Sequence, residues 1–202
     1  MDRYRFNRSL FPDESQPPTP STNNKTSGEA ETTSSSGKEN LDPAGDYLGA
    51  SSKSYLIKIL RKQGDRQVLF ADKVLKYTGK GKVKRRFLII SEFAIYIIDP
   101  ETNTLKRRVS LAAVEKIFMS QLHDHFIAIH VPTEYDILLA STRKTEIAKK
   151  LVDATRSSPD YELQVIRSNR FEYNASAELV KVVYNELVKG RVITRFVRVE
   201  AT

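Results

Sequence analysis

The chain of 202 residues contains no cysteine, which removes disulfides, thiolate metal sites and cysteine nucleophiles together. It also lacks any apolar run near the roughly 20 residues that a membrane-spanning helix needs. Arg3, Arg5, Arg8, Asp13 and Glu14 interrupt the first residues, so no secretory leader is expected. Residue 2 is Asp, which excludes N-myristoylation, and the missing cysteine excludes prenylation. Any membrane contact is therefore expected to be peripheral. From Glu14 to Ala50 large apolar side chains are nearly missing, and Ser, Thr, Pro, Gly, Asn and Glu dominate. Such a stretch buries too little surface to offset its ordering entropy. Residues 1–50 are accordingly read as a disordered arm and residues 51–202 as the folded domain.

Charge follows the same division. The whole chain carries a formal +8, but the arm is −3 and the remainder +11. A basic domain of this kind suggests an anionic partner: phospholipid, nucleic acid or acidic protein. From Val68 onward short β-branched and aromatic runs recur at close spacing, predicting strands over 68–77, 85–91, 94–99, 106–111, 114–120, 126–131 and 136–140. Thr78-Gly79-Lys80-Gly81-Lys82 reads as a hairpin loop and Asp99-Pro100-Glu101-Thr102-Asn103 as a turn. The period then becomes helical. Thr142 can cap a helix to about Arg156, with Ile147, Leu151 and either Ala148 or Val152 on one face and Lys144, Lys149 and Lys150 opposite, ended by Ser157-Ser158-Pro159-Asp160. Strands are expected again at 163–167 and 192–199. Residues 177–189 fit either period and are read as strand. Seven strands followed by one amphipathic helix predict a mainly β fold, an antiparallel barrel of the pleckstrin-homology kind capped by that helix.

The interval from Lys73 to Arg86 holds seven basic residues and no acid. Alternation in a strand puts Lys84 and Arg86 on one face, with Lys76 across the short loop. Cations converging from two strands suit a phosphate, which Arg binds bidentately, and glycine-loop N–H groups can approach it closely. The candidate lipid-binding residues are Lys76, Lys80, Lys82, Lys84, Arg85 and Arg86. Lys106, Arg107 and Arg108 form a second basic cluster, read as ordinary surface that could widen the same patch. A solvated, charged hairpin remains the plain alternative.

Val74-Leu75-Lys76-Tyr77, the glycine loop and Arg86-Phe87-Leu88-Ile89-Ile90-Ser91 resemble the opening hairpin of the tail homology 1 domain of class I myosins. The resemblance continues through Ile117-Phe118-Met119-Ser120, Asp124, Phe126-Ile127-Ala128-Ile129-His130-Val131, Asp136-Ile137-Leu138-Leu139 and Glu146. It covers residues 68–151, more faintly the last fifty, and it comes with no motor domain, no calmodulin-binding neck and a shortened lead-in. It implies a pleckstrin-homology-like module that binds anionic phospholipids, phosphoinositides favoured, with Lys76 and Arg86 as the signature basic pair. The partners implied are an anionic membrane, at its cytoplasmic face or the cell cortex, and a cytoskeletal or cortical protein.

Other constellations carry less. His123, Asp124 and His125, with His130 nearby, lack an evident third metal ligand and read as a polar turn. Gly79-Lys80-Gly81-Lys82 lacks the spacing of a phosphate loop. Asp65, Asp72 and Asp99 read as turn or strand-end residues. No nucleophile motif or acid pair suggests an enzyme, and no cofactor or metal is implied. Nucleic acid is not expected, because Tyr77 and Phe87 sit in strand patterns rather than beside the charges. In the arm, Lys38-Glu39-Asn40 resembles a degradation tripeptide, Thr19-Pro20 a proline-directed phosphorylation site, and Arg3–Phe11 a short docking peptide. Oligomeric state is not legible.

Overall fold

Strands that are apolar on both faces fix the architecture. Phe87-Leu88-Ile89-Ile90 and Ala94-Ile95-Tyr96-Ile97-Ile98 do not alternate, and a strand reads this way only when both faces of its sheet are covered. The computed structural model describes residues 45–156, 161–176 and 179–199. The degradation tripeptide, the Thr19-Pro20 site, the Arg3–Phe11 segment, the rest of residues 1–44 and the Ser157–Asp160 stop lie outside the described residues. Strands β1 (Val68–Tyr77), β2 (Val83–Ser91), β3 (Ala94–Asp99), β4 (Thr104–Ser110), β5 (Lys116–Met119), β6 (Phe126–His130) and β7 (Ile137–Ala140) precede a helix over Lys144–Thr155. A further strand, β8 (Gln164–Arg167), joins them in an eight-stranded sheet of order β4-β3-β2-β1-β7-β6-β5-β8. The long β1 pairs with β2 along its length and with β7 at its end, Leu75 opposite Ala140 and Tyr77 opposite Leu138, so it belongs to both halves of the barrel. This is the pleckstrin-homology-like arrangement that the sequence predicts.

Period-2 alternation sends Phe70, Val74, Leu88, Ile90, Ile95, Ile97 and Val109 from one half, and Ile117, Ile127, Ile129, Ile137 and Leu139 from the other, into one core. Ile147, Ala148 and Leu151 of the Lys144–Thr155 helix complete it. Each fully buried Leu or Ile contributes about 1.5–3 kcal/mol before entropy is counted.

The outer face of β1–β3 is covered by a helix the sequence reading does not contain, α1 (Ser54–Lys62); the helix over Lys144–Thr155 is therefore α2. The described residues hold two α-helices where one was expected. Leu56 and Leu60 of α1, one turn apart, meet Ala71, Phe87, Ile89, Ala94, Tyr96 and Ile98. Leu48 and Ala50 join this second core. Asp46 anchors them: its carboxylate accepts the N–H groups of Ala50 at 2.8 Å and Ser51 at 2.9 Å. The backbone there pairs with Ala71, Tyr47 N–H to Ala71 O at 2.8 Å and Ala71 N–H to Gly45 O at 2.9 Å. Packing therefore begins upstream of residue 51, where the sequence reading drew the domain boundary.

The outer face of the other half is covered by a three-stranded sheet, β9 (Arg170–Ser176), β10 (Leu179–Val188) and β11 (Arg191–Arg198), ordered β11-β10-β9. Residues 179–188 are strand, as read, because β-branched Val180, Val182 and Val183 favour the pleat. Phe171 stacks on Phe118 at 5.8 Å, and Phe196 meets Tyr77 at 5.4 Å and Phe126 at 5.3 Å.

Helix α2 departs from expectation in two details. It begins after Arg143 rather than on a Thr142 cap, and the Ser141 hydroxyl accepts the Arg143 N–H at 3.0 Å. Lys144 does not face solvent. It is 8% exposed, and its ammonium donates to Leu122 O at 3.0 Å, Ser120 O at 3.3 Å and Asp124 Oδ2 at 3.0 Å. Removing it strands a buried carboxylate. Lys144→Met is therefore expected to cost about 3–5 kcal/mol, read as a lower urea midpoint with an unchanged slope. A midpoint equal to that of the parent chain would show that water reaches Asp124.

Candidate anion site at the barrel mouth

Beyond the apolar core the inward face of the barrel turns basic. Lys76 lies opposite Lys84 and Val74 opposite Arg86, while Leu88 faces Ile97 and Ile97 faces Arg107. Cross-strand partners share a face, so Lys76, Lys84, Arg86 and Arg107 all continue the inward row at one end of the barrel. Arg107 belongs there by alternation, two residues from the core residue Val109 and in the same register, opposite Ile97. The same alternation splits the Lys106-Arg107-Arg108 cluster. Only Arg107 turns inward. Arg108 lies on the opposite face, donating to Asp65 Oδ2 and to the Tyr96 hydroxyl, both at 3.1 Å. Lys106 stands 3.6 Å from Asp99.

The other wall of the mouth is the segment between β6 and β7. Arg107 is 8% exposed, and its Cζ lies 4.0 Å from the Tyr135 ring centroid. Its Nε and Nη2 donate to Glu134 Oε2 at 3.2 and 3.0 Å, and Nη2 also donates to Tyr135 O at 2.5 Å. Its Nη1 is buried without a hydrogen-bond partner among the described residues. Lys76 Nζ sits 5.7 Å from the same ring centroid. Burial first, then the charges of Arg107, Arg86 and Lys84, holds the Lys76 ammonium below the ordinary lysine range. Arg86 is held 3.4 Å from Asp99 and donates to its neighbour's carbonyl, Arg85 O, at 2.6 Å. Cations thus outnumber the nearby acids Asp99 and Glu134.

The remaining candidates are not gathered there. Lys80 and Lys82 are exposed on the loop, and Arg85, opposite Leu75, is exposed on the outer face. The loop also differs from a phosphate cradle. Thr78 N–H donates to Lys82 O at 2.9 Å, Gly81 N–H to Thr78 O at 2.8 Å and Lys82 N–H to the Thr78 hydroxyl at 3.0 Å, so these donors serve the turn itself. Gly79 is needed for packing instead: a Cβ there would meet the Ala175 carbonyl oxygen of β9 at 2.7 Å.

Residues that read as bland polar positions carry structure. Asp65 is the buried acceptor of Arg108 and Tyr96, and Asp72 pairs with Arg143 at 3.2 Å. His130 Nδ1 lies 2.9 Å from Asp136. Arg107 is the site residue that sequence reasoning undervalued. Its signal was present, since an Arg between two basic neighbours on a strand must face away from them.

The family described as "Unconventional myosin tail, actin- and lipid-binding" matches residues 44–197. Among individual proteins, the chain is 30% identical to the myosin ID heavy chain of Dictyostelium discoideum over 126 residues, 56% of this chain and 11% of that protein. It is 34% identical to the myosin IC heavy chain of the same organism over 113 residues, 51% of this chain and 10% of that one. To the myosin heavy chain IB of Acanthamoeba castellanii it is 30% identical over 139 residues, 65% and 12% of the respective lengths. The match spans only about a tenth of each relative. With a match over nearly all of its packed residues, the chain belongs to the myosin tail homology 1 family, the actin- and lipid-binding tail of unconventional myosins.

Proposed function

We propose that the barrel mouth binds the phosphorylated headgroup of an anionic phospholipid, with phosphoinositides favoured, and holds the chain peripherally on the cytoplasmic face of a membrane. The observation that carries this reading is the buried Nη1 of Arg107, which has no acceptor among the described residues and lies beside three further cations. A buried guanidinium donor is costly to leave unpaired, and a phosphate oxygen is the acceptor that also offsets the surrounding charge. No helix among the described residues is long and apolar enough to cross a membrane. Stacking on nucleic-acid bases is disfavoured, because Tyr77 packs on Phe126 and Phe196 and Phe87 is buried. The direct test is co-sedimentation with phosphatidylcholine vesicles, alone, with phosphatidylserine, or with phosphatidylinositol bisphosphate at matched charge. Tightest binding is expected with the last. Equal binding to neutral vesicles would refute the reading.

Lys76 supplies a second check. Its folded pKa is lowered, so between that value and the ordinary one the unfolded chain holds more protons, and this group's penalty on stability shrinks as pH rises. A bound phosphate works in the opposite direction and draws the proton back. Headgroup affinity is therefore expected to fall as pH rises through the folded Lys76 pKa, by up to about tenfold per pH unit above it. Lys76→Arg, which does not deprotonate, is expected to flatten that fall. The measurement is a soluble inositol phosphate titration at pH 7, 8, 9 and 9.5, and parallel slopes for the two chains would exclude Lys76 from the contact.

A further inference from the structure

The two acids at the mouth are not alike. Asp99 is engaged through both oxygens: Oδ1 accepts the Glu101 N–H at 3.1 Å, and Oδ2 faces Arg86 at 3.4 Å and Lys106 at 3.6 Å. Its side chain is 12% exposed. Glu134 differs. One oxygen, Oε2, takes both bonds from Arg107, at 3.2 and 3.0 Å, and Oε1 accepts nothing among the described residues. The Glu134 side chain is 46% exposed, against 6% for Arg107.

The turn that carries Glu134 is fixed at both ends. Glu134 N–H donates to Val131 O, and Val131 N–H donates to Asp136 Oδ1, both at 3.0 Å. Asp136 is held in turn by Asn174 of β9: its N–H donates to Asn174 O and its Oδ2 accepts the Asn174 N–H, both at 2.8 Å. Val131 and Asp136 are buried. The Glu134 carboxylate is therefore presented to the mouth from an anchored backbone and turns only about its own side-chain bonds.

One ion pair thus offers an unused donor, Arg107 Nη1, and an unused acceptor, Glu134 Oε1. They suit opposite chemistries. An anion satisfies Nη1 and is repelled by Oε1. A neutral hydroxyl satisfies Oε1 and leaves the charge of the mouth unchanged. A chain of bare phosphates supplies only the first. An inositol phosphate supplies both, because a phosphorylated ring carbon has a hydroxyl on at least one adjoining carbon. A hydroxyl donating to a carboxylate makes a charge-assisted bond, and a site that bonds a ligand hydroxyl discriminates against an analogue without one.

We infer that Glu134 is the specificity-determining residue of the mouth: its free oxygen accepts a ring hydroxyl of the headgroup, and its charge excludes phosphates that carry none. The inference rests on the headgroup reading and assigns the ring, as distinct from the phosphates, to one side chain. Arg107 then takes a phosphate oxygen on Nη1 without releasing Glu134.

The test titrates the full chain with two soluble probes at matched ionic strength, an inositol trisphosphate and inorganic tripolyphosphate. The parent is expected to prefer the inositol ligand. Glu134→Gln keeps an acceptor oxygen and loses the charge. It is expected to bind tripolyphosphate several-fold tighter and the inositol ligand no tighter, so the preference falls about tenfold. Glu134→Asp keeps the charge and withdraws it by one methylene. It is expected to leave tripolyphosphate weak and to weaken the inositol ligand several-fold. The control is Glu186→Gln, the same charge change in the exposed Glu186–Arg195 pair of the three-stranded sheet, which is expected to leave the preference unmoved. Equal gains for both ligands in Glu134→Gln make the residue a plain counter-ion and overturn the inference. A lower Tm with an unmoved preference overturns it too and leaves Glu134 a support for Arg107 alone. A parent chain that binds neither probe, or binding that survives Lys76→Ala/Arg86→Ala, sinks the headgroup reading itself.

Discussion

Lys76→Ala/Arg86→Ala is expected to lose about a hundredfold in affinity for phosphoinositide vesicles and to keep its melting temperature. The size follows from two charge-assisted contacts at about 1.5 kcal/mol each, with 1.4 kcal/mol per tenfold. The fold should tolerate the change. Lys76 is a half-buried cation among cations, so its removal relieves repulsion. Asp99 loses Arg86 but keeps Lys106 and the Glu101 N–H at 3.1 Å. The charge-matched control is Lys58→Ala/Lys62→Ala on the exposed side of α1. Lys106 and Arg108 do not serve, because Arg108 belongs to a buried network. Arg107 is a poor first target as well, since it also holds Glu134 and the Tyr135 carbonyl. If both double variants lose the same affinity, attraction is diffuse and no headgroup site exists at the mouth.

The legible parts of this protein are those set by local periodicity. Lys76, Lys84 and Arg86 could be placed on one face because a five-residue loop separates two strands of clear period. Seven strands and α2 followed from β-branched runs and a change of period. The rest depends on what covers what. Helix α1 is nine residues long, and its cap Lys53 makes no side-chain bond, so local signals were weak. The informative signal lay elsewhere, in the doubly apolar β2 and β3, which require cover on both faces. Lys144 looked like solvent-facing charge because a helical wheel cannot show that Asp124 and two carbonyls await it from another loop. Strand β9 was recoverable from Phe171, Tyr173 and Ala175 at period two. Arg107 was recoverable as well, since alternation from the apolar Val109 puts it on the inward face between two outward-turned neighbours.

A stability loss as large as that at Lys144 is expected at Asp65. Its carboxylate is fully buried and joins elements far apart in sequence: the Ser91 hydroxyl of β2 donates to it at 2.7 Å, the Tyr96 hydroxyl of β3 donates to it, and Arg108 of β4 lies 3.1 Å away. Asp65→Ala leaves the guanidinium and the buried phenol without their acceptor. Breaking one side of a buried pair costs about 3–5 kcal/mol. For a domain of this size that is a fall of roughly 10–20 °C in Tm. The Tyr96 phenol is pushed up to about 12, by burial first and then by its bond to Asp65. This group's contribution is complete below pH 10 and is lost as pH climbs through 12, so the parent chain should lose it only in that alkaline window. Because the penalty comes from stranded partners rather than from a missing attraction, Asp65→Ala/Tyr96→Phe/Arg108→Met should recover at least half of the lost stability. Thermal melts of the parent, single and triple variants decide the point. A single variant within 3 °C of the parent would show that water replaces the carboxylate. A triple variant no better than the single would show instead that the network holds α1 against the sheet by more than its unpaired charges.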